Sequence, residues 1–312
     1  MSARCEVFCV GNAVADVLAR PVERLASPGT NQGLDEVALS PGGNSVNTGI
    51  ALARLGIPVA VAAPVGDDRL GQMIREAIRA GGVNDANVVT LPGRRTSVSV
   101  ILVQKSGERR ILHFRGANEE FSDCHLKWEL AEGAKVFFYA SAFALPSFDG
   151  PPLERAMARA KRMGCLTALN PCWDIQGRWL PLIRSALVHT DFIFPNLDEG
   201  LKLTGETQAP VMAAHLQKLG VKTVVVKLGC DGCYVAGPEG AFTSPGFRVD
   251  PVDTTGAGDC FVAGFLAAIC RKVGLQQAAR WANAAGALCT TGMGGADSAP
   301  TRLQMEGFLE RQ

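Results

Sequence analysis

Short apolar runs alternate with longer segments of helical periodicity along most of this chain of 312 residues. The runs have the length of buried strands, and the segments between them repeat apolar residues every three or four positions. This alternation is typical of a parallel sheet that is covered by helices on both faces. The predicted strands are 7–10, 59–65, 136–140, 166–169, 192–194 and 223–227, and the predicted helices are 45–55, 70–80, 153–163 and 211–219.

Two regions interrupt this rhythm. Residues 21–39 are polar and rich in turn formers, and residues 96–114 alternate apolar with polar side chains around Ser106-Gly107. Alternation around a turn predicts an antiparallel hairpin with one solvated face. We expect a small β-lid over one edge of the α/β core, built from segments near 12–40 and 94–116, with an ordinary edge hairpin as the alternative. Because no repeat or long linker occurs, residues 1–312 are predicted to form a single domain.

Charge and composition narrow the function classes. The chain carries 31 Lys and Arg against 30 Asp and Glu, a net charge of +1, which argues against nucleic acid or a membrane as partner. Its 35 glycines and 6% aromatic residues suit tight turns around a ligand better than base stacking. The chain has neither the order of a signal peptide at its start nor a membrane-length apolar run. We therefore expect a cytoplasmic protein with reduced cysteines.

The most informative segment reads Asp-Thr-Thr-Gly-Ala-Gly-Asp at positions 253–259 and leads into an apolar, helix-like run. Small residues that open a helix leave backbone N–H groups bare, and the helix dipole adds positive potential, which together favour phosphate. An aspartate in a first helical turn is often purely structural. Beside a phosphate site, however, Asp259 has a natural task as the acceptor of a proton from an attacking hydroxyl.

This segment resembles the second signature of the ribokinase-like (PfkB-type) carbohydrate kinases. Their first signature is matched by Gly-Gly-Asn-Ser-Val-Asn at 42–47, followed by Leu55-Gly56. Further landmarks of the family are similar to Asn170-Pro171, to Asn-Leu-Asp-Glu at 196–199 and to Lys-Leu-Gly at 227–229 with Gly232, so the resemblance spans nearly the whole chain in order.

The resemblance implies a three-layer α/β/α sandwich with a central, mostly parallel sheet and a small β-strand lid. It also implies an ATP-dependent phosphotransferase that moves the γ-phosphoryl group to a hydroxymethyl group of a small sugar or sugar acid. Asp259 would be the base, and the N–H groups of Gly256, Ala257 and Gly258 would form the anion hole. On physical grounds we expect the helix end to lower the pKa of Asp259.

The family pattern also assigns the binding residues. By this resemblance the acceptor would contact Asp16, Gly42, Gly43, Asn44 and Asn47, and the nucleotide would contact Asn196, Lys227, Gly229, Gly232 and Asn283. Glu199 and Asn196 would sit near Mg²⁺ through water, while Asp253, Thr255, Cys289 and Gly294 match a K⁺ loop. The alternative for Asn196 is a purely structural cap of a helix that starts at Leu197.

The acceptor pocket departs from that of ribokinase. This chain has Val14 where ribokinase has Asn, Asn44 where it has Lys, and no acidic residue near Ser141, so we do not expect ribose as the acceptor. A nucleoside kinase of the same family is the closest rival, with Phe114 and Phe143 as candidates for base stacking. A non-catalytic sugar- or nucleotide-binding sensor is the rival from another class. The resemblance further implies a homodimer through the lid.

Overall fold

The strands of this protein are divided between two separate sheets in the computed structural model, which describes residues 5–105 and 108–312. The strands are β1 (Val7–Val10), β2 (Val14–Arg20), β3 (Glu36–Gly42), β4 (Val59–Gly66), β5 (Asn84–Leu91), β6 (Val98–Val103), β7 (Arg109–Phe114), β8 (Val136–Ala142), β9 (Leu166–Pro171), β10 (Phe192–Ile193), β11 (Thr223–Lys227), β12 (Gly232–Gly237) and β13 (Gly240–Pro245).

The larger sheet has the strand order β13-β12-β11-β10-β9-β8-β1-β4-β5. Its strands run parallel except for β12 and β13, which continue from β11 as antiparallel edge strands. The chain proceeds outward from β1 through β4 and β5, and then returns to the other side of β1 with β8. In an open α/β sheet such a reversal leaves a crevice at the carboxyl ends of the two strands, where ligands bind. This crevice lies between the ends of β1 and β8.

Helices cover both faces of the larger sheet. They are α1 (Asn44–Arg54), α2 (Arg69–Ala80), α3 (Pro151–Arg162), α4 (Trp179–Leu187), α5 (Leu197–Thr204), α6 (Ala209–Lys218), α7 (Ala257–Cys270), α8 (Leu275–Thr290) and α9 (Arg302–Glu310). Successive strand residues point to opposite faces, so Val7 and Cys9 pack with α1, α2, α7, α8 and α9, whereas Phe8 and Val10 pack with α3 to α6. The result is the three-layer α/β/α sandwich, and the strands and helices predicted above are confirmed.

The smaller sheet has the order β3-β2-β6-β7 and forms the lid. β2 pairs antiparallel with β3 and parallel with β6, and β6 pairs antiparallel with β7, which confirms the predicted hairpin. The hairpin therefore belongs to a sheet of its own and is not an edge of the larger one. The Ser106-Gly107 turn that was expected to join the two strands lies outside the described residues.

Within residues 5–105 and 108–312, no helix is both long enough and apolar enough to cross a membrane.

Candidate functional site

A cavity of about 340 Å³ opens where the lid sheet faces the carboxyl ends of β1 and β8. Its walls come from the loops after these two strands, from the first turns of α1 and α7, and from one face of the lid. Its polar lining includes Asp16, Asn44, Asn47, His113, Arg115 and Asp259. The cavity thus brings together residues that lie more than two hundred positions apart, and it occupies the crevice at the reversal of strand order.

Asp259 is buried in the first turn of α7, and two asparagines of α1 hold its carboxylate. The side-chain amide of Asn44 donates to Oδ1 over 2.9 Å, and that of Asn47 donates to Oδ2 over 2.8 Å. The Cys172 thiol lies 3.3 Å from Oδ1 of Asn44, and burial raises the pKa of this thiol, so it remains a donor. The amide of Asn44 is thereby oriented with its N–H₂ toward Asp259. Each amide uses one of its two N–H groups in these bonds, and within the described residues Oδ1 of Asn47 accepts no hydrogen bond.

The expected low pKa of Asp259 is wrong. Burial raises the pKa of this carboxyl above its ordinary value, and the hydrogen bonds from Asn47 and Asn44 and the charge of Lys227 offset only part of that effect. The helix N-terminus does favour the ionised form. Removal of water from this buried carboxylate, which α1 contacts through Asn44 and Asn47, outweighs this gain. A raised pKa makes Asp259 a better proton acceptor.

The turn before α7 contains the residues that were predicted to form an anion site. Gly256 is the N-cap residue with a φ of 75°, in the left-handed region, and a Cβ there would collide with Gly295. Within the described residues, the N–H groups of Gly256 and Gly258 donate no hydrogen bond, whereas Ala257 N–H points to the carbonyl of Thr254 at 3.3 Å. The predicted anion hole therefore has two bare donors and a third in a long bond.

Lys227 lies at the end of β11 and extends its ammonium group toward the same turn. The ammonium donates to Oδ1 of Asn170 over 2.8 Å, and a Cβ on Gly258 would lie 3.8 Å from it. Its charge acts on both Asp259 and Glu199. The sequence analysis assigned Lys227 to the nucleotide. The structure places its ammonium group near the turn before α7, where it is held by Asn170 of β9, a residue that received no role above.

Asn196 caps α5, which is the structural alternative given for it above, and Glu199 completes the cap. Asn196 accepts from the N–H of Glu199 over 2.8 Å, and Glu199 Oε2 accepts from the N–H of Asn196 over 2.8 Å, which is a capping box on α5. Burial raises the pKa of Glu199, with Lys227 and the Asn196 N–H acting in the opposite direction. Within the described chain, Glu199 Oε1 accepts no hydrogen bond, so one carboxylate oxygen remains available.

The residues predicted for the nucleotide turn surround the β11–β12 connection. Gly229 is exposed, and Gly232 lies where β12 meets the carbonyl of Ser244. Asn283 is buried in α8, and its amide donates to Ser244 and to the carbonyl of Pro245 at 3.0 Å. In this arrangement Asn283 fixes the end of β13 behind the turn.

The acceptor side of the cavity is formed by β2 and the start of α1. Asp16 approaches the backbone of Gly42 so closely that a Cβ on this glycine would collide with the carboxylate. Burial and the charge of Asp259 raise the pKa of Asp16 to about 6, although a hydrogen bond from Ser99 lowers it. Gly43, with a φ of 96°, begins α1 beside the cavity. With this pKa, Asp16 is mostly ionised at pH 7 and becomes protonated in mildly acidic solution.

One face of β7, together with Arg115 directly after this strand, points into the site. Period-two alternation places Arg109, Ile111, His113 and Arg115 on the same face, and the last three line the cavity. Partial burial and the neighbouring charge of Arg115 lower the pKa of His113. Across the described residues, the guanidinium of Arg115 forms neither an ion pair nor a hydrogen bond. The sequence analysis gave no role to these residues, although the alternation that it identified contains them.

Asp253, Thr255, Cys289 and Gly294 do lie together as predicted for a K⁺ loop. Asp253 Oδ1 accepts from the N–H and the hydroxyl of Thr255, at 2.9 and 2.8 Å, and Oδ2 accepts from Gly294 N–H at 3.0 Å. The Cys289 thiol lies 3.6 Å from the carbonyl of Thr255. Arg109 adds an ion pair of 2.8 Å to Asp253. Both oxygens of the carboxylate that the cation would use therefore already accept hydrogen bonds from the protein, and Arg109 balances its charge, so the carboxylate as it stands does not fit K⁺.

The remaining residues named in the sequence analysis lie behind the cavity, in its wall or on the outer face of the lid. Ser141 is fully buried and donates to Asn12, whose Oδ1 accepts from the N–H of Asn44, so it supports the pocket from behind. Phe143 lies in the cavity wall against Trp179, while Phe114 projects from the outer face of the lid. The exposed aromatic ring at the cavity is that of Trp173, which the sequence analysis did not identify.

Comparison with known proteins agrees with this geometry. The family model described as pfkB family carbohydrate kinase matches residues 5–302. The chain is 31% identical to fructokinase-1 of Oryza sativa subsp. japonica over 87% of this chain and 88% of that protein. It is also 31% identical to the ATP-dependent ribose-1-phosphate kinase of Halopiger xanaduensis over 98% of both chains.

Among solved structures, the ribokinase of Arabidopsis thaliana, complexed with ribose and ATP, superimposes with a TM-score of 0.86 at 26% identity. The superposition covers 98% of this chain and 99% of the ribokinase. The match of the family model, the sequence relatives and the shared three-layer fold with its lid sheet agree, and the chain belongs to the pfkB family of carbohydrate kinases.

Proposed function

We propose that this carbohydrate kinase transfers the γ-phosphoryl group of ATP to a hydroxymethyl group of a small sugar or sugar acid, with Asp259 as the base. The observation that supports this most directly is the position of the Asp259 carboxylate. It is buried, held by two amides, open to the cavity, and adjacent to the bare N–H groups at the start of α7. A proton acceptor and an anion site in one place are what phosphoryl transfer to an alcohol requires.

In the proposed reaction the acceptor hydroxyl attacks the γ-phosphorus of ATP while Asp259 takes its proton. A bond forms between the acceptor oxygen and phosphorus, the bond from phosphorus to the β,γ-bridging oxygen breaks, and ADP leaves with that oxygen. Negative charge is spread over the equatorial oxygens in the transition state, where Gly256 and Gly258 N–H, the dipole of α7 and the Lys227 ammonium stabilise it.

The donors near the site indicate which divalent cation the protein would use. Among the described residues, no three His, Cys, Asp or Glu side chains converge to hold a metal by themselves. This suits Mg²⁺, which keeps much of its water and binds through substrate phosphates and one or two carboxylates. Glu199, through its available oxygen, and Asn196 would hold it by way of water. When bound, Mg²⁺ neutralises charge on the phosphates.

The acceptor is expected to meet Asp16 and Arg115, which both line the cavity. A carboxylate can accept from two neighbouring hydroxyls of a polyol. The guanidinium of Arg115, which has no partner in the described part of the chain, favours an acceptor with an anionic substituent. A cation in a cavity gains most from an opposite charge. The relatives named above include kinases of both a free sugar and a sugar phosphate. A sugar acid or a phosphorylated sugar therefore ranks ahead of a neutral sugar.

We further propose that the lid mediates a homodimer. The face of the lid opposite the cavity carries Val37, Leu39, Leu112 and Phe114, and each of these side chains is more than half exposed. Four large apolar side chains on one face of a small sheet indicate a surface that is covered by another chain. A second copy would apply the same patch to itself around a twofold axis.

The acceptor class is tested with a panel of possible acceptors. Purified protein with MgATP is assayed for ADP formation on a panel of neutral sugars, sugar acids, sugar phosphates and nucleosides. Turnover of nucleosides alone would overturn the sugar proposal and establish the rival nucleoside kinase, for which the exposed ring of Trp173 offers a stacking surface.

Asp259→Asn is the matched test of the mechanism. We expect turnover to fall at least about a hundredfold, while ATP still binds in a calorimetric titration. Near-normal turnover by this variant would contradict the assignment of the base. A protein that binds ATP and sugars but turns over no member of the panel would support the non-catalytic sensor.

A further inference from the structure

Arg109 of the lid reaches across to the loop that leads into α7. Its Nη2 atom donates to Asp253 Oδ1 over 2.8 Å and to Thr254 Oγ1 over 2.9 Å, and its Nη1 donates to Thr255 Oγ1 over 2.5 Å. One guanidinium therefore contacts three successive residues of a loop more than 140 positions away. The next residue in the chain is Gly256, the first donor of the proposed anion hole.

The contact places a fixed positive charge where the family pattern led us to expect K⁺. A potassium site surrounds the ion with carbonyl and carboxylate oxygens. Here Oδ1 of Asp253 already accepts from Thr255 and Arg109, and Oδ2 accepts from Gly294. Burial alone would raise the pKa of Asp253, but these hydrogen bonds and the charge of Arg109 hold it below its ordinary range. The carboxylate is ionised and its charge is already balanced.

The chemistry of the guanidinium suits this position. Its donors have a fixed planar geometry, so it can order a loop through several hydrogen bonds at once, and it stays charged at any physiological pH. An ion that exchanges with solvent would order the loop only while it is bound. Because β7 carries Arg109, these hydrogen bonds form when the lid occupies the position seen here.

We infer that Arg109 takes the place of a monovalent cation in this enzyme, so that its lid, and not K⁺, orders the loop before the anion hole. Arg109 is then a positioning residue, which acts through Asp253, Thr254 and Thr255 on the N–H groups at the start of α7. The inference rests on the proposed function, since it assumes that these N–H groups bind the transferred phosphoryl. Its consequence is that turnover needs no potassium.

The first arm of the test requires no acceptor. The melting temperatures of the wild type and of Arg109→Gln are measured in KCl and in N-methylglucamine chloride at equal ionic strength. We expect no potassium-specific shift for the wild type and a potassium-specific increase for the variant, whose loop is left with an unbalanced carboxylate. A potassium-specific increase in the wild type as large as that in Arg109→Gln would overturn the inference.

The second arm uses turnover of the acceptor that the panel identifies. We expect the wild type to be equally active in both salts within about twofold. In N-methylglucamine chloride, Arg109→Gln should lose at least about tenfold in kcat, through misplaced anion-hole donors, with a smaller change in the KM for ATP. Arg109→Lys keeps the charge but lacks the planar guanidinium donors. Its kcat should lie between those of the wild type and Arg109→Gln.

Arg110→Gln is the control, because it removes a neighbouring arginine of β7 that makes none of these contacts. An Arg109→Gln variant with the activity of Arg110→Gln, or a wild type that loses tenfold without potassium, would overturn the inference. Either result is distinguishable from failure of the proposed function, which would appear as an active Asp259→Asn variant.

Discussion

Asn47 of α1 donates its side-chain amide to Oδ2 of Asp259 on α7 over 2.8 Å, so the proposed base is held by a residue that the sequence assigned to the acceptor. The two helices lie side by side on one face of the larger sheet. This hydrogen bond favours the ionised carboxylate and sets the direction in which its remaining lone pairs point. The reactivity of Asp259 therefore depends on the packing of α1 against α7.

Replacement of Asn47 should change the pH profile of the enzyme. In Asn47→Ala the carboxylate loses a donor worth about 1.5–3 kcal/mol in its charged state, so the pKa of Asp259 rises further. We expect the acid limb of kcat/KM to move by about one unit or more to higher pH, and kcat at neutral pH to fall about tenfold. The measurement is a pH–rate profile from pH 5 to 9.

Thr48→Val is the control for this prediction, because Thr48 is buried next to Asn47 in α1. Within the described chain, its hydroxyl makes no hydrogen bond. Its profile should coincide with that of the wild type. If Asn47→Ala also coincides with the wild type, the amide does not tune the base.

Ionised Asp16 should lower the stability of the folded protein and strengthen acceptor binding. Its pKa of about 6 in the folded protein exceeds the ordinary value of 3.8, so the folded state holds the proton more tightly than the unfolded state. The free energy of unfolding therefore falls as pH rises from about 4 to about 6. Once the group is ionised, the penalty reaches at most about 3 kcal/mol. Asp16→Asn should remove this penalty at pH 7 and weaken acceptor binding at least tenfold.

The stability gain is checked by urea unfolding at pH 4 and pH 7, with the gain confined to the higher pH. Glu36→Gln serves as the control, since it removes a carboxylate of the same lid sheet that is 42% exposed and paired with Arg20. Exposed pairs contribute little, and we expect a change below about 1 kcal/mol. Equal stability of Asp16→Asn and the wild type at both pH values would show that ionised Asp16 is not strained in the folded protein.

Arg115 should determine the preference for charged acceptors. In Arg115→Gln, kcat/KM for sugar acids or phosphorylated sugars should fall about tenfold to a hundredfold, as expected for a lost charge-assisted hydrogen bond. Neutral sugars should change by less than about twofold. Separate arms with carboxylate and phosphate acceptors identify which anion is recognised. Arg94→Gln, which removes an exposed arginine paired with Glu120, should leave both ratios unchanged. A uniform loss over all acceptors would assign Arg115 a structural role.

The outer face of the lid should control oligomeric state. Leu112→Glu places a charge in the patch of Val37, Leu39, Leu112 and Phe114, and we expect it to convert a dimer to a monomer in light scattering coupled to gel filtration. Leu303→Glu, in an 81% exposed position of α9, is the control and should remain dimeric. A monomeric wild type, or a dimer that tolerates Leu112→Glu, would contradict the proposed interface.

The sequence by itself determined the class of fold and the position of the residue that we propose as the base. Strand β1 and helices such as α1 follow from local periodicity, and α7 follows from the apolar run after the small residues at 254–258. Those small residues predict an anion site because bare N–H groups are a local property of a helix start. The lid hairpin is also local, since alternation marks both of its strands. These features need no knowledge of what packs against them.

Tertiary structure decided which side chains face one another. The packing of α1 against α7 directs Asn44 and Asn47 to Asp259. No sequence pattern within α1 indicates which of its residues face α7. The high pKa of Asp259 depends on the water that these contacts exclude, which outweighs the helix dipole that the sequence did show. Closure of the lid sheet over the core likewise selects which face of β7 meets the site, and so brings Arg109 to Asp253. Distances between segments far apart in the chain are set by packing, and only the folded chain contains them.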